Sequence, residues 1–71
     1  MTAANRYWLH GGDWQPGGQA RHQLIGQFRT LANATAAGSR WLSQQKNPAA
    51  KWWHVEDIRR DKIVAESEAN P

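Results

Sequence analysis

The chain reads as a small α+β domain, an antiparallel sheet of three or four strands with one α-helix packed on one face, in the order ββαββ. Three observations predict it. Leu31, Ala34, Thr35, Gly38, Trp41 and Leu42 fall on one stripe of helical spacing. Runs of aromatic and bulky residues lie on both sides of that stripe, broken by glycines and turn formers. No second stripe of helical spacing is present, so one helix must be covered by strands.

Taken in order, residues 6–10 (Arg-Tyr-Trp-Leu-His) form a first strand expected to stop at Gly11-Gly12. Residues 11–19 hold four glycines and Pro16, the composition of a loop, and carry Trp14. Residues 22–29 suit a second strand with Leu24 and Phe28 on one face and a bulge accommodated by Gly26. Thr30 is placed to cap the helix and Asn47-Pro48 to end it. The middle of the helical stripe is small, Ala34 and Gly38, so the helix can approach the sheet closely, with Trp41 and Leu42 filling its C-terminal end. Asn33, Ser39, Ser43 and Gln44 face water on the other side.

Beyond Pro48 the pattern has period two. Residues 51–57 and 62–66 predict a hairpin with a three-residue loop, a type I turn closed by a left-handed residue, with Asp61 where glycine is usual. In this register Trp53, Val55, Ile63 and Ala65 point to the helix, and Trp52, His54, Glu56, Val64 and Glu66 point away. Residues 1–66 make one domain, and residues 67–71 are a polar tail expected to fray.

At 71 residues a single domain is all the chain can build, and a domain this small is marginal without help such as oligomerisation. With no cysteine there are neither disulfides nor thiolate metal sites, which fits a reducing cytoplasm. Neither a signal peptide nor a membrane-spanning run is visible, so a cytoplasmic protein without a membrane partner is expected. A net charge of +3 and a pI near 10.0 tilt the molecule towards polyanions, yet Glu56, Asp57, Asp61 and Glu66 interrupt any continuous positive strip.

Five tryptophans are the most informative feature. Adjacent strand residues turn to opposite faces, so Trp52 and Trp53 cannot both enter one core. If Tyr7 and Leu9 face the helix, then Arg6, Trp8 and His10 join Trp52 and His54 on the helix-free face. This patch suits the buried centre of a protein interface, with Arg59 and Arg60 at the hairpin tip as rim contacts. The same aromatic planes could stack on single-stranded nucleic acid, or form the seam of a homodimer that supplies missing core.

No pattern of catalysis appears. His10, Asp13 and His22 lack a compact ligand spacing, Glu56 and Asp57 point to opposite faces, and the glycine pairs lead into no phosphate loop. No cofactor or metal is expected, and an enzyme is not the reading.

Phe28-Arg29-Thr30-Leu31-Ala32-Asn33-Ala34 leading into the helix, and Val55-Glu56-Asp57-Ile58 through Lys62-Ile63-Val64-Ala65, give a pattern that resembles compact ββαββ proteins of phages and other mobile elements, among them some small anti-CRISPR proteins. The resemblance covers nearly the whole chain in pattern only. It implies a non-enzymatic inhibitor or modulator that occupies a surface of a host protein complex, with occlusion of a subunit more natural than DNA mimicry for a basic chain.

Overall fold

The computed structural model describes residues 5–13 and 21–67. Within them β1 (Tyr7–Asp13), β2 (Arg21–Phe28), α1 (Leu31–Ser43), a one-turn 3-10 helix (Pro48–Ala50), β3 (Lys51–Asp57) and β4 (Lys62–Glu66) follow in the expected ββαββ order. The four strands form one sheet, β2-β1-β3-β4, and every neighbouring pair is antiparallel. β2 and β3 therefore run parallel on either side of β1, and α1 crosses over β1 to join them.

Alternation along the two central strands settles the faces. Tyr7 pairs with Asp57, Leu9 with Val55 and Gly11 with Trp53, and this set faces the helix. Leu9, Val55, Trp53 and Ala34 of α1 make the buried centre, surrounded by Phe28, Leu31, Trp41, Leu42 and Val64. Two tryptophan-on-glycine contacts bring helix and sheet together. A Cβ on Gly38 of α1 would stand 2.6 Å from the Trp53 ring, and one on Gly11 of β1 would stand 2.9 Å from the Trp41 ring. Each indole lies where its partner has no side chain, which permits a close interaxial approach.

The second contact explains why β1 runs through Gly11-Gly12 to Asp13 instead of stopping at them. Both glycines are buried, since Trp41 closes over Gly11 and Gly12 lies opposite Trp52 on the other face. Trp14 and the remaining loop expected up to residue 19 lie outside the described residues. So does the tail beyond Ser67, although Ser67 itself is not frayed. Its N–H donates to the Trp53 carbonyl at 2.8 Å, and its Oγ accepts from the Trp53 N–H at 3.0 Å.

Both edge strands carry a bulge, and each one changes an expected face. In β2 the extra residue is Ile25, which leans towards Gly11 on the helix side. Leu24 then pairs with His10 on the helix-free face and is 47% exposed, while Phe28 pairs with Tyr7 on the helix side, so the two do not share a face. In β4 the extra residue is Val64. It packs on the core, and Ile63, opposite Glu56, is 52% exposed, which reverses the expected roles of Ile63 and Val64.

The helix begins as expected, with the Thr30 hydroxyl accepting from the Asn33 N–H at 3.2 Å. It ends at Ser43, short of Asn47-Pro48, because the Gln44 N–H is shared between the Arg40 and Trp41 carbonyls and the Gln45 side chain donates to Trp41. The hairpin loop has four residues, 58–61, one more than the three expected, and its last, Asp61, is left-handed with φ 54° as expected. Replacing Asp61 with glycine removes the Cβ penalty of that conformation while loosening the unfolded chain. The variant is expected to keep its stability or gain up to about 1 kcal/mol in a thermal melt. A clear loss would mean that the carboxylate, and not the backbone, holds the turn.

Candidate functional site

Three rows of side chains cross the helix-free face. Gln27, Trp8, Glu56 and Ile63 form one, Leu24, His10, His54 and Glu66 the next, and Gly12 with Trp52 the third. Because β1 and β3 are adjacent and central, the structure brings together Trp8, His10, Trp52 and His54, four of the residues singled out by sequence.

Three of the four rings, His10, His54 and Trp52, are in contact. His10 and His54 sit directly opposite, centroids 5.1 Å apart and tilted by 49°. The Trp52 indole stacks on His54 at 5.1 Å and 24°. Nε2 of His10 comes within 3.4 Å of the Glu56 carboxylate, and its side chain is 12% exposed. The Trp8 indole N–H donates to the Asn5 carbonyl at 3.3 Å. The imidazoles are thus the half-buried middle of the patch, and Leu24 and Ile63 are exposed aliphatics on its two flanks.

Arg6 does not join this face. Its guanidinium is bidentate on Asp57, Nε to Oδ1 at 2.9 Å and Nη2 to Oδ2 at 2.8 Å, on the helix side. It also passes over its neighbour Tyr7, 5.3 Å from the ring centroid. The Arg6 hydrogen bonds hold the Asp57 carboxyl at about 2, well below the usual carboxylate range. Burial opposes that shift and the Arg59 N–H, 3.1 Å from Oδ1, reinforces it. The same hydrogen bonds raise the pKa of Arg6. With Arg6 removed, the three rows contain no lysine or arginine, and their charged side chains are Glu56 and Glu66.

Arg59 and Arg60 stand at the exposed hairpin tip, away from the indoles and next to Asp57. Arg60 is 63% exposed with Nε 3.8 Å from Oδ2. Asp13 is an ion-pair partner of Lys51, its cross-strand neighbour, and forms no metal or acid/base set with His10. Among the described residues no group of three or more histidine, aspartate or glutamate side chains is arranged to hold a metal ion, and no helix is long and apolar enough to cross a membrane.

Sequence reasoning missed the pairing of Arg6 with Asp57, which spans 51 positions, and a cleft beside it lined by Leu31, Arg60, Lys62 and Val64. The only local trace of either is the cluster of charges at 57–62 around the turn. No protein-family model matches the chain, and comparisons with characterised proteins and with solved structures find no significant likeness, so its role has to follow from the residues of these two surfaces.

Proposed function

We propose that the chain is a non-enzymatic binding protein that docks the helix-free face of its sheet on a protein partner. In keeping with its resemblance in pattern to small phage proteins, its finer role is to inhibit or modulate a host protein complex in the host cytoplasm. The observation that supports this reading is the single patch of Trp8, His10, Trp52 and His54 on the adjacent central strands, flanked by the exposed Leu24 and Ile63.

The edges of the sheet support docking by a face. A bulge in an edge strand twists it and interrupts the ladder another strand would need, and both β2 and β4 carry one. Single-stranded nucleic acid fits this face less well. Glu56 and Glu66 would repel phosphates, the cations lie elsewhere, and the plane of Trp52 is already occupied by His54.

Trp52→Ala is expected to weaken partner capture by about thirtyfold or more, the scale of an aromatic hot spot, while the thermal melt remains cooperative. The comparison is made by affinity capture from a candidate host lysate, wild type against variant, alongside sedimentation of the free protein. Retained capture by Trp52→Ala would rule this face out. A variant that unfolds would place Trp52 in the core, and a dimer that dissociates on mutation of Trp8 or Trp52 would make the patch a seam between copies.

A further inference from the structure

The second surface lies on the helix side, where the start of α1 meets the β3–β4 hairpin. A cleft of about 450 Å³ opens there, lined by Arg6, Tyr7, Leu31, Asp57, Arg60, Lys62, Ile63 and Val64. Its chemistry is of two kinds. Leu31 and Val64, both partly buried against the core, give it an apolar floor. Its rim is cationic, and Arg6 already satisfies Asp57 with two short hydrogen bonds. Arg60, 63% exposed with Nε 3.8 Å from Asp57, and the exposed Lys62 stand at the outer edge, with Arg59 one residue away.

We infer that this cleft is a binding site for an acidic segment of a partner protein, one that places an aliphatic side chain on Leu31 and Val64 and carboxylates against Arg60 and Lys62. Charge complementarity selects this occupant. The cleft and the tip beside it hold Arg6, Arg59, Arg60 and Lys62 against Asp57 and Asp61, and the one buried carboxylate among them is neutralised from within. A nucleic-acid backbone offers nothing for the apolar floor, and it needs a longer track of cations than the two that project here. None of the four ring residues of the docking face lines the cleft, and Ile63 at that face's flank is the one residue that borders both.

The test is a titration of the 15N-labelled chain with acetyl-Asp-Glu-Leu-Glu-Asp-amide, following backbone amides. The expected result is saturable shifts at Leu31, Lys62 and Val64, with a dissociation constant on the order of a millimolar or tighter that weakens as salt is raised. Arg60→Glu combined with Lys62→Glu should weaken binding about tenfold or more. Arg60→Gln with Lys62→Gln serves if the charge reversal disturbs the amide spectrum. Four results would each overturn the inference: no saturable shift at those amides, equal binding of acetyl-Lys-Lys-Leu-Lys-Lys-amide, binding unchanged in both double variants, or displacement of the peptide by an oligothymidylate. Shifts at the same amides on concentrating the protein alone would instead give the cleft to a second copy, and would equally overturn it. Because the readout lies in the cleft amides, its failure leaves the Trp52→Ala experiment untouched.

Discussion

Gly38→Val is expected to destabilise the fold by about 3 kcal/mol or more, a loss of roughly ten to twenty degrees in melting temperature for a domain of this size. The first carbon of any side chain at 38 meets Cδ2 of Trp53 at 2.6 Å and Cε2 and Cε3 at 2.8 Å. The indole cannot retreat cheaply. It is 7% exposed on a central strand, and its own backbone is tied on both sides to Ser67. Helix propensity alone makes the opposite prediction, since glycine costs about 1 kcal/mol against alanine in a helix interior. Gly38→Ala sets these effects against each other. A gain of about 1 kcal/mol is opposed by an overpacking cost of about 1–3, so a net loss is expected. Valine adds two further methyls and a β-branch, and the clash dominates. A melt in which Gly38→Ala is more stable than wild type would show that α1 does not rest on Trp53.

The same contact marks where sequence reading succeeded. Gly38 stood on an apolar helical stripe where its propensity cost pointed to close packing, and Thr30 preceded that stripe with a capping hydroxyl, so the helix could be read from short-range spacing. The order of elements and the turn at Asp61 were legible for the same reason. Gly11-Gly12 misled because the residue that needs the missing side chain, Trp41, is thirty positions away in the chain, and locally two glycines signal a turn. The bulge in β2 was legible to within one residue, expected at Gly26 and found at Ile25, whereas the bulge at Val64 left no local trace. Each is set by what the neighbouring strand and the helix require, and a shift of one residue exchanges Ile63 and Val64 between core and surface. The aromatic face survived because it depends on β1 and β3, the two strands that pair without interruption. Arg6 was misplaced because its charge partner lies across the sheet, and alternation places a side chain at a strand end only until a buried carboxylate draws it over.

Asp57→Asn is expected to lower the melting temperature by on the order of ten degrees at neutral pH, and to remove much of the acid sensitivity of the wild type. Asp57 is 2% exposed and its carboxylate accepts from Nε and Nη2 of Arg6 and from the Arg59 N–H. Asparagine keeps the shape. It presents one acceptor oxygen in place of two, turns an N–H₂ towards a guanidinium and carries no charge, so the bidentate pair is lost while Arg6 stays partly enclosed. Below the ordinary carboxylate range, near 3.8, the unfolded chain takes up a proton that the folded chain refuses until about pH 2. Stability contributed by this group is therefore complete above about pH 4 and is lost as pH falls towards 2, with nothing further to lose below that. The informative quantity is the difference between wild type and Asp57→Asn melts across that interval. That difference should shrink as the pH is lowered. A constant difference from pH 7 to pH 2 would mean that the loss comes from the hydrogen-bonding pattern of the amide and not from the carboxylate's charge, and that the cleft beside it is not held open by an ion pair.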